Sequence, residues 1–371
     1  MFILASDLHL APLIWTDRPQ IKNDAYRALA QLADYVVKQH EPLILAGDLF
    51  DIRRPPPDAV IAMNQFMSLL QQAGIPVYYT QGQHELSRES TWVGTHAHPF
   101  HVHKRSFEIG GRKFYGLDWL PRGELQAELA AIPPDAEFLV CHQVWQDFMG
   151  TNCATEGAIG EIPANIKYVL TGDFHKHTII NVNGKHVVSP GSTYIRSISE
   201  ESEKNFFHAH DHPNGVVLFS SVPIKGRYVQ HLEITTQPEL DKWCDYLNSL
   251  LDADDDAKRI VHIKIRQDLP EWHSRLNAAA AGRVHLHLDP QAAPNAAVEV
   301  GAVEVATDQP PAAAMSICAA AIVRDNPAVL QKVQALLSHV SRGSAAEYWS
   351  GLYMQHMAAP ACTAESTAIS T

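Results

Sequence analysis

The amino-acid sequence predicts an α/β protein, an α+β sandwich in which helices cover sheets. Over the first two-thirds of the chain, short apolar runs alternate with longer amphipathic stretches. Most apolar runs end in a polar cluster. The 371 residues are 46% hydrophobic, enough for one large domain plus one or two smaller units.

The elements follow in order. MFILA reads as a strand. DAYRALAQLADYVVKQH carries Ala25, Leu29, Leu32, Val36 and Val37 on one helical face. PLILA is a buried strand ending in Gly47-Asp48. Ala59, Val60, Met63, Phe66, Met67 and Leu70 make a second helical stripe, and IPVYYT a third strand before the turn QGQHE. KFYGLDWL, EFLVCHQ and KYVLTGD repeat the pattern of strand and polar end. TIINVNGKHVV places Asn183-Gly184 between alternating runs, a hairpin signal. GVVLFSS and GRYVQHLEI read as closing strands, so residues 1–233 make the main domain.

Composition then changes. PELDKWCDYLNSLL and EWHSRLNAAA are helical, RIVHIKIRQ and GRVHLHLD are strands, and 234–290 reads as a small α+β cap domain. Residues 291–321, rich in Ala, Pro, Val and Thr, read as a linker. NPAVLQKVQALLSHV carries an apolar stripe at Val329, Leu330, Val333, Leu336, Leu337 and Val340. This places a C-terminal helix within 322–357, free either to dock on a partner or to pack on its own domain. Residues 358–371 read as a disordered tail.

No apolar run approaches the roughly 20 residues of a membrane span. MFILASDLHL lacks a basic leader and reads as a core strand, not a signal peptide. Five scattered cysteines without a CxxC pair point to a reduced, cytoplasmic protein. A net charge of −12 argues against gripping nucleic acid by a broad basic surface. It leaves room for phosphate chemistry in which bound cations supply the positive charge. Histidine, the commonest transition-metal ligand, occurs 21 times.

Five polar clusters follow five predicted strands: Asp7 and His9; Asp48 and Asp51; Gln83, His84 and Glu85; His142; and Asp173, His175 and His177. Alone, a D-x-H or G-D-x-x-D more often caps a turn, and a single histidine after a strand is more often structural. Five in order are hard to explain as turn chemistry. Ligands in α/β proteins gather at strand carboxyl ends, so the clusters converge in one crevice. Mixed carboxylate, amide and imidazole donors suit manganese, iron or zinc better than magnesium alone.

The order D-x-H, G-D-x-x-D, G-N-H-[DE], H, G-H-x-H resembles the calcineurin-like metallophosphoesterases over residues 1–230. MFILASDLHL, GDLFDIRRPPP and VVSPGSTYIRSISEESEKNFF are similar to the SbcD branch, the bacterial and phage counterpart of the meiotic-recombination double-strand-break nuclease. That resemblance implies the calcineurin-like fold and two divalent cations, manganese first, with magnesium, iron or zinc as alternatives. Asp7, His9 and His175 would hold the first cation, Asp48 would bridge, and Gln83, His142 and Asp173 would hold the second. His84 would stabilise or protonate the leaving oxygen, and Asp51 would orient its neighbours. A hydroxide generated on the cations would attack the phosphodiester. Arg53, with Arg54, is placed to reach phosphate or simply to face water. The implied substrate is DNA at double-strand ends, cut as an exonuclease or endonuclease. The implied partner is an SbcC-type coiled-coil ATPase bound by the 322–357 helix; a homodimer also fits.

Two positions depart from the family pattern. Gln83 replaces an asparagine and carries one more methylene, and Asp173 replaces the first histidine of G-H-x-H. Both fall on the second cation. The other register pairs His175 with His177; the first is preferred because it keeps the Gly-to-ligand spacing. The departures keep alive a catalytically weakened binding protein as an alternative, beside a phosphoesterase with a non-DNA substrate. His96, His98, His101 and His103 in THAHPFHVH read as a wet loop lining the substrate entrance rather than as another metal site.

Overall fold

The computed structural model describes residues 1–10, 21, 23–86, 96–149, 157–252, 258–267 and 269–290. All of the described residues fall within one compact unit, Met1–Glu304. The expected linker, the 322–357 helix and the tail lie outside the described residues.

The first sheet has the order β12-β11-β1-β2-β3-β4. Its parallel centre is β1 (Phe2–Ala5), β2 (Leu43–Ala46) and β3 (Val77–Thr80), flanked by β4 (Phe100–His101). The other flank is antiparallel, β11 (Lys204–Asp211) and β12 (Val217–Ile224). The second sheet has the order β5-β6-β7-β8-β10-β9. It contains β5 (Arg105–Ile109), β6 (Arg112–Gly116), β7 (Phe138–His142), β8 (Tyr168–Gly172), β9 (Thr178–Val182) and β10 (Lys185–Ser189). The Asn183-Gly184 hairpin joins β9 to β10, with φ of 52° and 80° at its two centre residues, the left-handed pair that a tight primed turn requires.

Strand alternation explains the layers. Phe2, Leu4, Ile44, Ala46, Phe207 and Ala209 face Phe114, Phe138, Val140, Tyr168, Leu170 and Val188 across the inter-sheet core. Phe2 meets Phe114 edge-on at 5.5 Å between ring centroids. On the outer face of the first sheet, Tyr35 of α1 (Asp24–Gln39) packs on Phe206 at 5.0 Å and bonds His208 at 2.9 Å. α2 (Pro57–Gln72) buries Ala59, Met63, Phe66, Met67 and Leu70. The outer face of the second sheet is covered by Leu125 and Leu129 of α3 (Arg122–Ala130), by Trp145 just before the short α4 (Gln146–Met149), and by a 3-10 turn at Ile159–Glu161.

A third sheet of parallel strands β13-β14-β15 follows: Val229–Ile234, Ile260–Ile265 and His285–Pro290. α5 (Gln237–Ser249) and α6 (Trp272–Ala280) bury one of its faces. α5 opens on a capping box between Thr236 and Glu239. GRYVQHLEI therefore does not close the larger sheets. Its Leu232 and Ile234 are recruited by the apolar face of α5, and it becomes β13. Arg227, just before β13, joins the two parts: it grips Asp24 of α1 at 2.7 and 3.0 Å and the Lys258 carbonyl at 2.7 Å.

Candidate metal centre

β1, β2 and β3 are mutually parallel, as are β7 and β8. Their carboxyl ends deliver the five clusters to one place. The turns that do so are bent: Asp7, His9, Asp48 and Asp173 have φ of 52°, 38°, 50° and 72°. Left-handed backbone outside glycine costs about 1 kcal/mol or more per residue and gathers at functional sites. Two glycines allow the chains to close in. A Cβ on Gly82 would stand 2.0 Å from Asp48 Oδ1, and one on Gly172 would stand 2.2 Å from the Ala46 carbonyl and 2.4 Å from His142 Nδ1.

Asp7, His9, Asp48 and His142 are fully buried. His142 Nε2 lies 3.3 Å from Asp48 Oδ2, 4.0 Å from Asp7 Oδ1 and 3.9 Å from Asp173 Oδ1. His9 Nε2 lies 3.5 Å from Asp48 Oδ2, 3.8 Å from Asp7 Oδ1 and 3.1 Å from His175 Nε2. His175 Nε2 is 3.6 Å from Asp7 Oδ1. Ligand atoms of Asp7, His9 and His175 come within 4.8 Å of one another, as do those of Asp7, Asp48 and His142.

His142 and His175 are aimed by a hydrogen bond at the other nitrogen, and His9 by the Asp51 carboxylate beside its own. His142 Nδ1 donates to the Ala46 carbonyl at 2.7 Å, His9 Nδ1 faces Asp51 Oδ1 at 3.2 Å, and His175 Nδ1 faces Glu200 Oε1 at 2.8 Å. This is how ligating histidines are held, with Nε2 left to the ion. Burial works against charge on Asp48 and His142, yet the pair supports itself. Asp48 is lowered below the carboxylate range by His142, and His142 is raised by Asp48 and Asp7. Burial lowers His9. Burial also opposes charge on Glu200, but His175 and Lys204 outweigh it and hold Glu200 at about 2. Glu85, buried beside Asp48, is pushed up to about 8, first by burial and then by that carboxylate. It caps the loop by accepting the Phe50 and Gly82 amides at 2.8 and 3.2 Å.

The two departures from the family pattern touch each other. Gln83 Nε2 donates to Asp173 Oδ1 at 2.6 Å. A carboxylate only accepts, so the amide nitrogen faces it and Oε1 turns elsewhere. The extra methylene of Gln83 thus reaches the residue that replaces histidine.

Asp48 Oδ2, Gln83 Oε1 and His142 Nε2 are buried without a hydrogen-bond partner among the described residues. Such atoms cost about 1–3 kcal/mol each when unmet. A divalent cation suits a carboxylate oxygen, an amide oxygen and an imidazole nitrogen at once, so this donor set fits one.

His84 Nδ1 donates to the Asp51 carbonyl at 2.9 Å, and its Nε2 lies 3.9 Å from Asp48 Oδ2. His177 turns away: Nδ1 bonds the Pro190 carbonyl at 3.0 Å, Nε2 bonds Ser221 at 2.7 Å, and the ring stacks on Phe207 at 4.1 Å. Arg53 is exposed in the loop before α2. The histidines of THAHPFHVH stay partly exposed, and each also has a protein partner. His96 meets Ser68 at 3.0 Å, His98 the Ile75 carbonyl at 2.7 Å and His101 Asp118 at 2.8 Å. His103 accepts the Asp118 amide at 3.0 Å. Asp118 in turn accepts the Gln81 amide at 2.8 Å and so braces the loop that carries Gln83 and His84.

Sequence reasoning passed over Arg196 and Glu200. Glu200 joins His175, Lys204 at 2.7 Å, Ser192 at 2.9 Å and the Arg196 amide at 3.1 Å. Both lie in VVSPGSTYIRSISEESEKNFF, whose resemblance to the SbcD branch marked the segment without singling out either residue.

The calcineurin-like phosphoesterase model matches residues 1–214. The DNA double-strand break repair protein Mre11 of Haloferax volcanii is 28% identical over 195 residues, 51% of this chain and 44% of that protein. Its namesake in Methanosarcina mazei is 27% identical over 199 residues, 50% of this chain and 32% of that protein. The metallophosphoesterase YhaO of Bacillus subtilis is 26% identical over 239 residues, 56% and 57% of the two chains. This chain therefore spans less than half the length of either Mre11 protein. A solved archaeal phosphodiesterase aligns with 60% of this chain and 99% of its own at 13% identity, with a TM-score of 0.32. With more than half of its length matched by the family model and that family's motif order at its strand ends, the chain belongs to the calcineurin-like phosphoesterases.

Proposed function

We propose that this metallophosphoesterase is a two-cation phosphodiesterase that cuts DNA, working with a coiled-coil ATPase of the SbcC type. The observation that carries the reading is the trio of buried, unmet donors at Asp48, Gln83 and His142 beside the Asp7, His9 and His175 cluster. The first cation would be held by Asp7, His9, Asp48 and His175, and the second by Asp48, Gln83, His142 and Asp173. Bound there, the pair supplies an activated water at neutral pH and neutralises the oxygens of an in-line displacement at phosphorus.

The chain's own residues do the rest. Asp48 spans the two sites. Asp51, Glu200 and the Ala46 carbonyl hold His9, His175 and His142 by their Nδ1 atoms, which keeps Nε2 available. His84, at the rim of the cluster, would stand beside the scissile phosphate. Asp173 adds a hard carboxylate where the family has an imidazole, which favours manganese or magnesium over zinc. The repair-protein names of the relatives support DNA as substrate, while the ATPase partner rests on the likeness of MFILASDLHL, GDLFDIRRPPP and VVSPGSTYIRSISEESEKNFF to the SbcD branch. The net charge of −12 leaves the grip on DNA to that partner, and we assign its docking to the helix within 322–357.

The test is turnover by the full chain with manganese on linear duplex DNA, a small phosphodiester and a phosphomonoester. Cleavage of the two diesters, abolished by Asp48→Asn, is expected. Monoester preference would redirect the substrate class. Absence of turnover with manganese bound would favour the binding-platform alternative. Deleting residues 320–371 is expected to end ATPase binding and spare the small diester.

A further inference from the structure

Arg196 lies in the loop between β10 and β11, outside the donor set. Its guanidinium Nη2 stands 2.8 Å from Asp51 Oδ1 and 3.2 Å from His84 Nε2. The Asp51 side chain is 2% exposed, so its charge has little water to lean on, and Arg196 is the cation beside it.

Donor and acceptor bookkeeping narrows the chemistry. A guanidinium only donates and a backbone carbonyl only accepts. Between Arg196 Nη2 and the Asp51 carbonyl, His84 can satisfy both contacts in one way: Nδ1 carries the proton and Nε2 accepts. His84 therefore presents no proton toward the cluster in this arrangement. The positive charge on that side belongs to Arg196.

The arginine is also anchored. Its backbone amide donates to Glu200 Oε2 at 3.1 Å, the same carboxylate group that holds His175 and receives Lys204. Ile195, the residue before it, is buried against Val229 and Ile260 of the third sheet. Asp51 connects the arginine to both imidazoles, with Oδ1 facing His9 Nδ1 and the carbonyl facing His84.

We propose that Arg196 is a positioning residue of this site: anchored on Asp51, it holds the His84 imidazole with Nε2 aimed as an acceptor, and supplies there the positive charge that a substrate phosphate oxygen meets. The kinetic part rests on the phosphodiesterase reading above; the tautomer part does not.

Two measurements on the full chain test it. With 15N-labelled histidine, long-range proton–nitrogen correlations should show His84 as the Nδ1–H tautomer in the wild type and as a mixture in Arg196→Ala. An Nε2–H tautomer in the wild type, or no change in the variant, overturns the proposal. With manganese and a small phosphodiester, Arg196→Ala should lower kcat about 10²-fold, the usual loss for one charge-stabilising donor. Manganese content should be unchanged, Arg196→Lys should keep part of the activity, and added guanidinium should rescue Arg196→Ala but not His84→Ala. A kcat within threefold of wild type, or activity lost only in step with manganese, refutes the assignment. A wild type that turns over no phosphodiester sinks the proposed function, while the tautomer still decides the role of Arg196.

Discussion

The contact between Gln83 and Asp173 makes the two departures from the family pattern one feature, and a double-mutant cycle can measure it. Gln83→Asn shortens the side chain by one methylene, about 1.5 Å, and so removes the amide from the 2.6 Å bond to Asp173 Oδ1. A hydrogen bond to a charged group contributes about 1.5–3 kcal/mol, and the Asp173 side chain is only 12% exposed, so little of this is screened. Gln83→Asn alone should therefore cost about 1.5–3 kcal/mol, and in the Asp173→His background close to nothing. The assay is urea unfolding in chelator, with both single variants and the double. With an m-value of about 3 kcal/mol/M, the coupling moves a midpoint by about 0.5–1 M. A cycle that closes within about 0.5 kcal/mol, the scatter of independent sites, refutes the coupling.

Other consequences are direct. Gly172→Ala puts a Cβ against the Ala46 carbonyl and His142, neither of which can step aside. It should cost about 1–3 kcal/mol in thermal unfolding and weaken manganese binding tenfold or more; unaltered binding would contradict the close approach. Glu200, held at about 2 from an ordinary 4.5, stabilises the fold above its unfolded value. That contribution, up to about 3 kcal/mol, is lost as pH falls from about 4.5 toward 2. Glu200→Gln should flatten this acid limb in chelator, and an unchanged limb would count against the Glu200–His175 pairing. Arg227→Met leaves the buried Asp24 carboxylate with Arg27 alone, at 3.1 Å, and should cost up to about 3 kcal/mol, less than a fully unpaired buried charge; adding Asp24→Leu should recover part of it. Equal losses in the single and double variants would show that the pair does not act as a unit.

By itself the sequence determined what is local and periodic. Short continuous apolar runs placed β1, β2, β3, β7 and β8, the 3.6-residue stripes placed α1 and α2, and Asn183-Gly184 set a hairpin. Backbone preference and side-chain burial speak within a few residues, so these elements were legible. The candidate donors were legible too, because parallel strands end in a common place and each cluster follows one. Only the tertiary structure decided the rest. Whether β13 closes a large sheet or opens a third one depends on which apolar face recruits Leu232 and Ile234, and α5 lies beyond the strand itself. The bond from Gln83 to Asp173 spans 90 residues of chain, and Arg196 reaches His84 across 112. Contacts that distant leave no period in the sequence; they exist because two sheets stack and bring their loops to one edge.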